Sequence, residues 1–173
     1  SLQTTCGFIT ADYMQWAPPL WMLTTIITYC GACAGSTSGG IKCIRAVIMA
    51  RIAQNEFKHI IHPNAVLPVR VNGTNVSSTT KSTVLAFFVV FVLLVFFGWF
   101  TMMVIGLEFD DAYSVVISSL ANVGPGIGMC GPAFSWNSLP DAAKWLSTIY
   151  MLIGRLELFT VLLLLTPAFW RKR

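Results

Sequence analysis

The chain has 173 residues, 55% of them hydrophobic and 10% charged, with a net charge of +4 and a mean hydropathy of +0.71. Soluble domains carry roughly 25% charged residues, so this balance excludes an ordinary soluble globule and indicates an integral membrane protein. No dense basic stripe is present, which excludes nucleic acid as a partner. The five cysteines, an odd count, lie mostly in apolar or glycine-rich context. There a free thiol packs as a small hydrophobe rather than building a disulfide framework. The start, SLQTTCGFIT, has neither a basic leader region nor an initiating Met, and reads as a point partway along a longer protein.

The first apolar stretch runs from Leu20 to about Ala53. As one helix it would be roughly 50 Å long, too long for a straight crossing of a ~30 Å hydrocarbon core. It either projects into the cytosol or breaks inside the bilayer. Its middle, AGSTSGGIK, collects poor helix formers: Gly35, Ser36, Thr37, Ser38, Gly39 and Gly40. Two readings stay open from the residues alone. Gly31, Gly35 and Gly39 fall four apart, as on a small-residue face for close helix packing. Alternatively the segment is a break, since each glycine costs ~1 kcal/mol in a helix interior. Cys30 and Cys33 form a C-x-x-C, but a redox pair needs a helix N-terminus in a βαβ context that the surroundings lack.

The connection from Arg51 to Lys81 carries Arg51, Lys58, Arg70 and Lys81 against Glu56, and the chain ends in WRKR. Excess Lys and Arg mark both as cytoplasmic. His59 and His62 frame HIIHPNAV without a Cys or carboxylate cluster, so an ordered turn is expected rather than a metal site. In VRVNGTNVS, Asn72-Gly73 between alternating apolar positions predicts a hairpin with a type I′ turn. Glycosylation sequons at Asn72 and Asn75 are chance matches on this topology.

An uncharged run from Val84 to Leu107, about 24 residues, is long enough to span a bilayer. The following connection holds Glu108, Asp110, Asp111 and Asp141 and no Lys or Arg, which makes it external. Within it, DAYSVVISSLA would make a helix of only ~16 Å, half a bilayer, before NVGPGIGMCGP ends it. A re-entrant pore loop fits this pattern, because irregular backbone at membrane depth must be buried in protein or line water. The plainer alternative is an external loop with a surface amphipathic helix. Trp145 to Leu165 forms a second span interrupted by Arg155 and Glu157. A charge in a span is costly and by default functional, and two residues apart on a helix these side chains do not face each other.

Thr5-Cys6-Gly7-Phe8 and Asn122-Val123-Gly124-Pro125-Gly126 share a character. A filter that replaces an ion's hydration shell needs backbone carbonyls turned into a narrow pore, through φ angles that Gly7 and Gly124 adopt at little steric cost.

Five longer motifs, AGSTSGGIK, HPNAVLPVRVNG, NVGPGIG, DAAKWL and GRLELFTVLLLLTPAFWR, occur in this order, and the match they mark covers essentially the whole chain. Together they resemble the C-terminal part of Trk-type potassium-uptake proteins, nearer the TrkH-like members than the Ktr and HKT branches. The resemblance implies an all-α membrane protein built of span–pore loop–span repeats in a pseudo-fourfold, potassium channel-like fold. By it, residues 1–53 are the end of the third repeat, with filter and broken second span. Residues 54–82 are a cytoplasmic connection with a hairpin, and 83–173 are the fourth repeat with its basic C-terminus. It makes Thr5, Cys6, Gly7, Asn122, Val123 and Gly124 potassium-binding filter positions, and Gly35 to Gly40 an intramembrane gate loop. It makes Arg155 a pore-facing charge acting as electrostatic barrier and latch, leaving Glu157 a structural role and Lys42 a minor one. It further implies no cofactor on this chain, with potassium as the transported ion. The implied partners are a second copy, in a homodimer with a pore in each protomer, and a cytosolic TrkA-like regulatory subunit binding NAD or ATP. The implied site is the bacterial inner membrane with the C-terminus in the cytoplasm. No catalytic constellation is visible. The competing functions are a membrane thiol oxidoreductase using Cys30 and Cys33, and a noncatalytic membrane scaffold.

Overall fold

The computed structural model describes residues 2–33, 35–36, 39–63, 68–71, 73–156, 158–165 and 167–170. Seven α-helices occur among them: α1 Pro18–Tyr29, α2 Cys43–Ile61, α3 Ser78–Ile105, α4 Phe109–Ala121, α5 Asp141–Arg155, α6 Leu158–Leu165 and α7 Pro167–Trp170. Four two-residue strands accompany them: β1 Cys30–Gly31, β2 Ile41–Lys42, β3 Arg70–Val71 and β4 Thr74–Asn75.

Helix α3 is the one described helix long and apolar enough to cross a membrane. Its ends are set locally. The Ser77 hydroxyl accepts from the Thr80 amide, and Gly106, at φ 108°, closes the other end in the left-handed conformation. It is apolar on every side. Val84, Phe87, Phe91, Val95, Gly98 and Met102 form a buried stripe at helical spacing, while Val92, Phe96, Phe97, Phe100 and Val104 face outward. A continuous outward apolar face suits lipid or further protein, not water.

The long stretch from Leu20 breaks. Helix α1 ends at Tyr29, β1 pairs in parallel with β2 (Cys30 opposite Ile41, Gly31 opposite Lys42), and the helix restarts at Cys43. Residues spaced by four share a face only on a helix, so Gly31, Gly35 and Gly39 do not form a packing stripe. Nothing lies within 4 Å of a methyl group built on Gly35. Ala34, Thr37 and Ser38 of this segment lie outside the described residues. Helix α2 then runs on to Ile61 and turns polar, with exposed Arg51, Lys58 and His59. Its first turn is anchored by the Arg45 guanidinium, 4.1 Å above the Phe87 ring.

The second span also departs from a single helix. Helix α5 ends at Arg155 and α6 begins at Leu158, with Leu156 between them at φ −84° and ψ 14°. A cation in the last turn of α5 lies where the helix dipole favours it. Glu157 lies outside the described residues. The expected hairpin is present: Arg70 pairs with Asn75 and Val71 with Thr74, and Gly73 has φ 80°. Asn72, the other residue of that turn, is outside the described residues, as are Asn64 to Val66 of the expected HPNAV turn and the terminal Arg171 to Arg173.

The core sits where α3, α4 and α5 meet. Every residue of α4 from Ser114 to Ala121 is buried, as is Ala112. A surface amphipathic helix would keep one face in water, so the plainer reading of this half-length helix does not hold. Gly98 permits the close approach, since a methyl there would sit 2.7 Å from the Tyr150 ring and 2.9 Å from Val116.

Candidate functional site

The two glycine-bearing stretches, far apart in sequence, lie side by side. A methyl on Gly7 would sit 2.9 Å from the Val123 carbonyl oxygen and 3.5 Å from the Pro125 ring. The same backbone pattern recurs in both. Thr5 and Gly7 have φ of 53° and 74°, and Asn122 and Gly124 have φ of 56° and 101°, with Cys6 and Val123 not in the positive range. Positive φ at alternate residues is unusual, above all with a Thr and an Asn among them. Such alternation departs from an extended chain, whose successive carbonyls point to opposite sides.

Hydrogen bonding separates the carbonyls of the second stretch into two groups. The Ser118 hydroxyl donates to the Gly124 oxygen at 2.8 Å and leans toward the Pro125 oxygen at 3.3 Å. The Tyr13 hydroxyl donates to the Gly126 oxygen. No hydrogen bond among the described residues reaches the Asn122 or Val123 carbonyls, although Val123 is only 3% exposed. A buried carbonyl normally has a partner. Gly124 therefore contributes its φ, and its own carbonyl is taken by Ser118.

Helix α4 supplies the support. Asp111, Ser114 and Ser118 stand three and four residues apart, hence on one face. Asp111 Oδ1 accepts from the Met129 amide at 2.7 Å, and Ser114 Oγ from the Ile127 amide. A cavity of about 250 Å³ lies behind this strand, lined by Thr24 and Thr28 of α1, Ser114 and Ser118 of α4, and Pro125 to Ile127.

Next to the stretch, two segments converge on the C-terminal end of α4. Gly39 of the broken span packs against it, since a methyl there would lie 2.6 Å from the Ala121 oxygen and 3.0 Å from Asn122 Nδ2. On another side Gly154 abuts the Leu120 oxygen and Asn122 Nδ2. Asn122 Nδ2 also donates to the Met151 carbonyl at 3.1 Å, tying the first residue of the stretch to α5. Arg155, next to Gly154, is exposed at the end of α5. The structure thus brings together Gly7, Asn122, Val123, Gly124, Gly39 and the neighbourhood of Arg155. Thr5 and Cys6 flank Gly7 directly, Cys6 exposed, and Gly40 has φ 71° beside Ala121. Gly35 and Ser36 lie away from this convergence in the loop, and Lys42 pairs in β2 with Gly31. Cys33 is a free, exposed thiol, and Cys43 Sγ donates to the Gly31 oxygen at 2.8 Å. The side chain of Cys30 is outside the description.

Sequence reasoning missed Asp111, Ser114, Ser118, Tyr13 and Gly154. The first three carried a signal: polar residues at helical spacing in an otherwise apolar half-helix. Tyr13 and Gly154 carried none, because their partners are distant in the chain.

A family model described as "TrkH: Cation transport protein" matches residues 1–172. The "Trk system potassium uptake protein" TrkH and TrkI of Halomonas elongata are each 39% identical to this chain, over 99% of it and 35% of their own length. The crystal structure of the potassium transporter TrkH from Vibrio parahaemolyticus matches with a TM-score of 0.90 at 36% identity, over 98% of this chain and 36% of that one. The chain spans about a third of the length of these curated relatives. It belongs to the TrkH family of cation transport proteins, and its predominantly helical fold is part of a pseudo-fourfold membrane fold.

Proposed function

From that membership of the TrkH family, we propose that this chain forms part of the conduction path of a potassium-uptake protein. Thr5 to Gly7 and Asn122 to Gly124 are two strands of its filter. The observation that carries this reading is the pairing of the two stretches. They share an alternating positive-φ pattern and touch each other, and the second presents carbonyls that no protein donor satisfies among the described residues. A dehydrated monovalent cation is a natural partner for such oxygens.

Residues 1–53 then close a third repeat, 54–82 form a cytoplasmic connection, and 83–173 make a fourth. Gly35 to Gly40 work as a gate through the contact of Gly39 with the end of α4, and Arg155 raises an electrostatic barrier beside it. Outside this chain, the reading calls for two further filter strands, a second protomer, and a cytosolic nucleotide-binding regulator loaded with NAD or ATP. The protein sits in the bacterial inner membrane with its C-terminus inside.

The test is potassium flux by the full-length protein carrying this chain. Reconstituted in liposomes, it should take up potassium in preference to sodium and restore growth of a potassium-uptake-deficient bacterium at low potassium. No flux of either ion from well-folded protein refutes the reading.

A further inference from the structure

Conduction through a carbonyl filter requires that some oxygens face the ion and that neighbouring ones do not. In this chain the division falls between Val123 and Gly124, and a side chain draws the line. The Ser118 hydroxyl has one proton, directed at the Gly124 oxygen at 2.8 Å with Pro125 as its secondary acceptor at 3.3 Å. The Ser118 backbone oxygen meanwhile accepts from the Val123 amide at 3.0 Å. One residue of α4 therefore grips the strand on both sides of the Val123–Gly124 peptide. Above it, Ser114 and Asp111 take the amides of Ile127 and Met129.

Packing does only part of this work. Gly126 sits close against Ser114 and Cys130, but Pro125 and Ile127 face the cavity of about 250 Å³. Gly124 has no atom within 4 Å of a methyl position. Glycine in open space beside a cavity has conformations to spare, and a hydroxyl bond is what removes them. Ser118 is itself 3% exposed, in surroundings where a hydrogen bond is strong and its loss is not made good by bulk water.

We propose that Asp111, Ser114 and Ser118 form a polar ladder on α4 that holds the second filter strand. Ser118 is a positioning residue for ion selectivity: it keeps the Gly124 carbonyl turned away from the ion path, so that Asn122 and Val123 face the ion. This rests on the filter reading above. Without the Ser118 proton the Gly124 oxygen rotates toward the pore or the strand relaxes into the cavity. Either adds an adaptable oxygen that accommodates a smaller cation.

The test compares potassium and sodium flux of the full-length protein in liposomes for wild type, Ser118→Ala, Ser118→Cys and Ser118→Thr, with Ser147→Ala as control. Ser147 is buried too, but its hydroxyl bonds only within its own helix, to the Ala143 oxygen at 2.8 Å. Ser118→Ala should lower the potassium-to-sodium flux ratio about five- to tenfold, the factor carried by one net hydrogen bond. Ser118→Cys, a weaker donor, should fall between, Ser118→Thr should restore the ratio, and Ser147→Ala should leave it unchanged. A wild-type ratio in Ser118→Ala overturns the proposal. If that variant does not fold, a wild-type ratio in Ser118→Cys overturns it instead. Equal losses in Ser118→Ala and Ser147→Ala would reduce Ser118 to a structural role. Failure of the wild-type protein to conduct at all is a different result and strikes the filter reading itself.

Discussion

Replacing each filter glycine by alanine separates conformational strain from steric collision. Gly124 has φ 101°, and nothing lies within 4 Å of an added methyl. Within this chain the effect of Gly124→Ala is therefore backbone strain, about 1–3 kcal/mol for a non-glycine residue held in a sparsely populated region. Gly7 has φ 74°, and its methyl would also sit 2.9 Å from the Val123 oxygen. Left-handed strain of roughly 1–2 kcal/mol adds there to an overpacking cost of about 1–3 kcal/mol. Gly7→Ala pushes on a carbonyl of the neighbouring strand, whereas Gly124→Ala only lets its own strand relax. At about 1.4 kcal/mol per decade, Gly124→Ala should cut potassium-selective flux by about 5- to 100-fold, and Gly7→Ala further still. Ion flux in liposomes, with thermal melting of the purified protein alongside, measures both. Wild-type flux and selectivity in the two variants, or a larger loss in Gly124→Ala than in Gly7→Ala, would refute the reasoning.

Three further outcomes follow from the same geometry. Gly39→Ala places a methyl 2.6 Å from the Ala121 backbone oxygen, so the loop cannot seat under α4. Regulator-free potassium flux should rise roughly tenfold at an overpacking cost of about 1–3 kcal/mol, and an unchanged basal flux in folded protein would count against the gate. Arg155→Gln removes an exposed cation beside the end of α4 and should raise flux about fivefold, from about 1 kcal/mol for a unit charge at close range in a water-like medium. A flux equal to wild type at low ionic strength would remove Arg155 from the barrier. In the connection between α4 and α5, burial and then the charge of Asp111 push the Cys130 thiol up to about 11. A maleimide at pH 8 should label exposed Cys33 and spare Cys130 until the protein unfolds. Because the folded thiol stays neutral while the unfolded one ionises, this contribution to stability is present below pH 9 and lost between 9 and 11, which a melting series across that range would detect.

Several elements were legible because their causes are local. The uncharged run from Val84 declares α3 by length and apolarity, and Ser77 and Gly106 mark its ends. Asn72-Gly73 declares the hairpin, and the short apolar run before NVGPGIG declares a half-length helix. Gly39-Gly40 after Ser-Thr-Ser declares a poor helix where a long one was otherwise due. Propensity and periodicity act over a few residues, so they can be read without knowing what lies across the fold.

Other features had no local cause. The end of α5 at Arg155 breaks a run that composition alone would continue to Leu165, and it does so where Gly154 meets the end of α4. Nothing near Gly7 in the chain announces the Val123 carbonyl, and nothing near Tyr13 announces Gly126. The amino-acid order by itself determined where backbone could be helical, where it had to turn, and which positions could adopt positive φ. Only the tertiary structure decided which carbonyls are taken by protein donors, because that depends on how the strand folds back along α4 to reach Ser118 and on Tyr13 arriving from 113 residues away, and no helix or turn preference encodes either.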